Sequence, residues 1–135
     1  MKVPLFRPQL GKEELKNLKE VFEAHWVGAG PKTQELERQF ALAVKTKHAV
    51  GVTSCTAALH IAVQSLGIKK GDEVIVPATT VVSTPYAVLY NGAAVVFADV
   101  EEDTLCIDPR DIVRKITPRT KAIIPVHLGG HSADM

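Results

Sequence analysis

The sequence predicts an α/β fold, a mostly parallel sheet with helices packed on both faces. Three observations lead there. Four short runs are almost wholly apolar: Ala49-Val50-Gly51-Val52-Thr53, Glu73-Val74-Ile75-Val76-Pro77, Ala93-Ala94-Val95-Val96-Phe97-Ala98 and Ala122-Ile123-Ile124-Pro125-Val126. Strands that lack polar alternation are buried on both faces. Segments with helical patterning separate these runs, which is the order of a layered α/β domain with right-handed crossovers.

Each element follows from local signals. Residues 12–25 read as an amphipathic helix, with Leu15, Leu18, Val21 and Phe22 at helical spacing. Trp26-Val27-Gly28-Ala29-Gly30-Pro31 breaks it into a loop. Pro31 suits the first turn of a second helix reaching about residue 46, with Leu36, Phe40, Leu42 and Ala43 as its inner stripe. The first strand, 49–53, then feeds a helix over 56–66 that Gly67 closes. A Gly71-Asp72 turn introduces the second strand, 73–77. Residues 82–90 form a helix with Pro85 in its first turn, ending at Asn91-Gly92. The third strand covers 93–98. Asp108 is a natural N-cap with Pro109 at the first helical position. The fourth strand covers 122–126.

Composition removes several function classes. The 135 residues carry 16 basic and 15 acidic side chains, a net charge of +1, which makes no electrostatic case for nucleic acid or an anionic membrane. No apolar stretch has the length of a membrane span, and Met1-Lys2-Val3-Pro4-Leu5 lacks the apolar core of a signal peptide. The chain reads as cytoplasmic. Cys55 and Cys106 have no metal-type spacing and read as free thiols. No metal site is expected, because the acidic residues Asp99, Glu101, Glu102, Asp103 and Asp108 lack calcium-loop spacing.

Ligands of open α/β sheets bind beyond the carboxyl ends of the strands. There the first strand runs into Ser54-Cys55-Thr56-Ala57-Ala58-Leu59-His60, a helix start. Free N–H groups and the helix dipole favour an anion at such a place, and Ser54 and Thr56 can add hydroxyl donors. Two readings fit: a phosphate cradle, or plain capping by Ser54. Thr79-Thr80, after the second strand, could close over a ring held in the cradle. A nucleophilic Cys55 is a further reading, although His60 lies five residues on and points elsewhere. His127 and His131 flank Gly129-Gly130 at the same edge and read mainly as structural.

The loop at 26–31, the segment Thr53 to His60, the stretch Gly71 to Pro77, and Ile116-Thr117-Pro118-Arg119-Thr120-Lys121-Ala122-Ile123-Ile124-Pro125-Val126-His127-Leu128 occur in an order that resembles the DegT/DnrJ/EryC1/StrS aminotransferases. The closing Ser132-Ala133-Asp134-Met135 fits the same pattern. The resemblance implies the amino-terminal part of the large domain of a fold type I, aspartate-aminotransferase-like enzyme using pyridoxal phosphate (PLP). It divides the chain into a helical and substrate-loop segment, 1–46, and a sheet core, 47–135. The implied reaction moves an amino group from glutamate or glutamine to a nucleotide-linked keto-sugar, in a homodimer.

By the same resemblance Ser54, Cys55, Thr56 and Ala57 hold the cofactor phosphate, and Gly28, Ala29 and Gly30 lie near the substrate. Val81 aligns with a position usually aromatic, where a ring stacks on PLP. Gly129 aligns with a frequent tyrosine. The Schiff-base lysine is expected beyond Met135, and neither Lys121 nor Lys69 nor Lys70 replaces it, so no catalytic residue is expected in this stretch, which by itself should be inactive. The alternative is a binding module for PLP or a nucleotide-sugar without catalysis. A sheet ending at its fourth strand should also leave an apolar edge that self-associates or pairs with a missing segment.

Overall fold

The structure, a computed structural model, describes residues 7–135; the expectation about Met1 to Leu5 lies outside them. The chain forms two compact units, one ending at Gly51 and the other Val52–Met135.

The first unit holds α1 (Lys12–Glu23) and α2 (Pro31–Ala43). The Gly11 N–H donates to the Glu14 carboxylate at 2.6 Å and anchors the start of α1. Pro31 occupies the first turn of α2, as its fixed φ favours. Both helices stop short of the expected ends. His25 and Lys45 adopt left-handed backbone, φ 52° and 56°, which ends a right-handed helix. Lys32 ties α2 to α1 by donating to Asn17 at 2.7 Å and Glu20 at 2.5 Å. Hydrogen bonds from Arg38 and then Gln39 hold the Glu35 carboxyl down at about 2.

The apolar stripes of both helices differ from expectation. Leu36, Phe40 and Leu42 are exposed, Ala43 is exposed, and Ala41 is the buried residue of α2. Leu15, Leu18 and Phe22 of α1 are exposed too.

The second unit runs α3 (Cys55–Ser65), β1 (Glu73–Pro77), α4 (Ser83–Leu89), β2 (Ala94–Ala98), α5 (Pro109–Lys115) and β3 (Thr120–Ile123). The three strands pair in parallel in the order β2-β1-β3. The strand expected at 49–53 does not form: it has no strand partner among the described residues, and the Gly51 N–H is taken by the Glu37 carboxylate at 2.7 Å. β3 starts two residues before the expected fourth strand and ends ahead of Pro125, which has no N–H to give a ladder. Pairing continues one residue further, Ile124 N–H donating to the Ile75 carbonyl at 2.9 Å.

β1 is buried along its whole length. Successive side chains of a strand point to opposite faces, and two cores result. Val74 and Val76 pack with Val63, Ala87, Val88 and Leu59 from α3 and α4. Ile75 packs on the other face with Ala98, Cys106, Ile107 and Ile112 of α5. Helices therefore cover both faces. β2 and β3 each pair on one side only and remain partly exposed, so burial on both faces holds for β1 alone.

At the amino edge, Glu73 locks β1 to the turn before β3. Its carboxylate accepts from the Thr117 hydroxyl at 2.5 Å and from the Arg119 guanidinium, and its N–H donates to the Arg119 carbonyl at 2.8 Å. The Thr117 hydrogen bond, then Arg119, holds the Glu73 carboxyl below its ordinary 4.5. A lowered folded value means the stabilisation is complete above about pH 4.5 and is lost as pH falls through the folded value. Glu73→Gln should therefore lower the melting temperature near neutral pH, and the gap to wild type should narrow as melts are repeated at successively lower pH below about 4.5. An equal gap at all pH values would contradict the lock.

Candidate functional site

Parallel pairing puts the carboxyl ends of β1, β2 and β3 at one edge. α3 joins β1 through the short link 66–72 and packs Leu59 and Val63 on the same core as Val74 and Val76. It therefore runs antiparallel to β1, and its start faces that carboxyl edge. The loop 78–82 leaves β1 there, and His127 follows β3 there.

At the helix start, Ser54 has extended backbone and its hydroxyl accepts from the Ala57 N–H at 3.1 Å. The capping reading of Ser54 is thus realised. Capping consumes one N–H. Those of Cys55 and Thr56 have no acceptor among the described residues, as expected of the first turn. Ser54 and Cys55 are exposed, and Thr56 and Ala57 half-buried. Side chains and dipole leave this turn open to an anion, so a phosphate group fits it. Cys55 is an exposed free thiol. The His60 ring is engaged edge-on with Tyr90, centroids 5.4 Å apart, and supplies Cys55 with no base.

In the loop after β1, Thr80 and Thr84 share a hydroxyl hydrogen bond of 2.8 Å, which fixes the entry to α4. Val81 is 71% exposed and offers a bare apolar face at the edge. After β3, Gly129 and Gly130 take positive φ (63° and 87°) and fold the chain back. The His127 ring accepts at Nδ1 from the Ala133 N–H at 3.0 Å. Sequence reading missed this bond, because nothing in the pattern links a ring to an N–H six residues on.

Gly28, Ala29 and Gly30 lie in the first unit, between α1 and α2. Trp26 Nε1 donates to the Ala29 carbonyl at 3.0 Å, and a Cβ on Gly30 would overlap the indole ring. The smallness of Gly30 is therefore used by Trp26. Gly28 has open space around it. A pocket of about 480 Å³ adjoins this loop, lined by Glu20, Trp26, Val27, Gly28, Pro31 and Lys32. Among the described residues no cluster of side chains could hold a metal ion, and no helix is long and apolar enough to cross a membrane.

A sequence model of the DegT/DnrJ/EryC1/StrS aminotransferase family matches residues 8–135. The chain belongs to that family. It is 49% identical over 133 residues to the spore coat polysaccharide biosynthesis protein SpsC of Bacillus subtilis (strain 168), covering 98% of this chain and 34% of that protein. It superposes on the PLP form of the putative sugar aminotransferase Spr1654 from Streptococcus pneumoniae with a TM-score of 0.93 at 36% identity, covering 99% of this chain and 34% of that one. With 3-amino-5-hydroxybenzoic acid (AHBA) synthase the TM-score is 0.89 at 39% identity, over 98% and 36%. The chain thus spans about a third of the relatives it matches. The fold is that of the amino-terminal part of a fold type I PLP enzyme, and PLP is the family's cofactor.

Substitutions test the packing around these loops. Trp26 is the single tryptophan, so its emission reports the first unit's loop directly. Gly30→Ala should displace the indole and shift its emission, while Gly28→Ala should leave the spectrum unchanged; an unshifted Gly30→Ala would refute the packing. Ser54→Ala should cost about 1 kcal/mol of stability in denaturant melts.

Proposed function

We propose that these residues are the amino-terminal third of a PLP-dependent sugar aminotransferase acting on a nucleotide-linked keto-sugar, with glutamate or glutamine as amino donor. The observation that carries the reading is the open first turn of α3 at the carboxyl edge of a parallel sheet. The relatives support the sugar: one is named for polysaccharide biosynthesis and another as a putative sugar aminotransferase. We place the enzyme in the cytoplasm as a homodimer, with the exposed apolar faces of α1 and α2 available for cover. The sheet core and the preceding helical segment form part of its PLP-binding large domain.

When bound, PLP supplies an electron sink for moving the amino group. The residues here supply the setting. Cys55 and Thr56 N–H groups, with the Thr56 hydroxyl, receive the phosphate, and Ser54 and Ala57 shape the turn that presents them. Val81 contacts the cofactor ring through its apolar side chain, without aromatic stacking. Gly28, Ala29 and Gly30 adjoin the substrate. By the family resemblance the lysine that bonds the cofactor lies beyond Met135, so residues 1–135 alone do not catalyse.

The full-length protein tests this. Borohydride reduction with PLP should add one phosphopyridoxyl group, by intact mass, to a lysine downstream of Met135. PLP held with no adduct in the full-length protein would favour the non-catalytic binding module instead. Thr56→Asp should weaken PLP by about tenfold or more through charge repulsion at the helix start, and leave pyridoxal, which has no phosphate, unaffected. Equal losses for both would place the phosphate elsewhere.

A further inference from the structure

The strand order β2-β1-β3 places the ligand crevice between the carboxyl ends of β1 and β3, where the chain connections diverge. His127 follows β3 at that crevice and is exposed. Its Nδ1 accepts from the Ala133 N–H at 3.0 Å. An imidazole that accepts at Nδ1 is neutral and carries its proton on Nε2.

The bond is held from both sides. Ala133 is buried, packed with Ile75, Ala98, Cys106 and Ile107. The Cys106 thiol donates to the His131 carbonyl at 3.6 Å. Gly129 and Gly130 supply the positive φ that lets the segment return. Turning the ring or changing its tautomer would strip an N–H of a buried residue of its acceptor, which is costly. Nε2–H has no acceptor among the described residues. Because His127 is exposed and follows β3 at the carboxyl edge, its Nε2–H is free to donate to a ligand bound there.

We infer that His127 is a ligand-binding residue whose Nε2–H donates to an anionic oxygen in this crevice, with the Ala133 clasp fixing the tautomer. The inference rests on the PLP reading above. Two anionic oxygens meet its chemistry, the ring oxygen of PLP and the carboxylate of the amino donor.

Substitutions divide the two nitrogens. Asparagine can place an acceptor where Nδ1 stands but reaches no further; glutamine can place a donor where Nε2 stands but leaves the clasp. In the full-length protein, His127→Asn should keep the Ala133 amide protected in hydrogen exchange while weakening one ligand about tenfold. A rise in the PLP dissociation constant assigns the cofactor oxygen; a rise in the glutamate KM at saturating PLP assigns the carboxylate. Wild-type values for both would overturn the inference. His127→Gln should lose Ala133 protection, and retained protection would overturn the clasp. Nitrogen NMR of the wild-type ring guards against variants that do not fold. The neutral Nε2–H tautomer should be seen, with Nε2 shifting on ligand addition and Nδ1 holding. A silent Nε2 would overturn the inference. Failure of the wild-type protein to bind PLP at all would instead remove the functional reading on which it rests.

Discussion

The parallel pairing of β1 with a neighbour on each side is the constraint from which the ligand edge follows. A strand flanked on both sides has its backbone groups satisfied within the sheet, so its side chains can be apolar above and below. Val74 and Val76 therefore meet α3 and α4, while Ile75 meets α5 and the segment around Cys106. Because all three strands point one way, every loop leaving a strand emerges at the same edge, and a helix returning antiparallel to β1 presents its start there. The open first turn of α3, the exposed Val81 side chain and the His127 ring share that edge for a single topological reason.

Polar locks hold the pairing at both ends. At the amino edge Glu73 gathers Thr117 and Arg119 and sets β1 against β3 where their register shifts. Beyond the carboxyl end of β2, the buried Asp111 of α5 accepts from the Asp99 N–H at 2.7 Å and pairs with Lys115 and Arg114. Lys115 also donates to the Phe97 carbonyl at 2.6 Å. The Asp99 N–H first, and Lys115 next, keep the Asp111 carboxyl ionised far below its usual range. These groups fasten α5 to the end of β2.

Much of this architecture could be read from residue pattern. Asp108 and Pro109 marked a helix start that the structure reproduces, the Asp108 carboxylate accepting from the Arg110 N–H at 2.8 Å. The apolar stretch at 73–77 was legible as a strand buried on both faces, since its pattern already implied two partners. Residues 49–53 have a similar composition and form no strand, because an apolar run states a propensity and only a neighbour makes a ladder. The stripes of α1 and α2 were visible, but periodicity shows which face is apolar and not what covers it. Ser54 was legible as a cap, and the structure makes it one: the cap uses one N–H and leaves two open. Trp26 on Gly30 and the ring of His127 on Ala133 were hidden, since each depends on how a loop closes in space.

The proposed function depends on the cofactor phosphate binding at the start of α3. The most direct measurement is a crystal structure of the full-length protein loaded with PLP. Phosphate oxygens are expected within hydrogen-bonding distance of the Cys55 and Thr56 N–H groups, beside the carboxyl end of β1. A phosphate bound on other residues, with the first turn of α3 left to solvent, would contradict it.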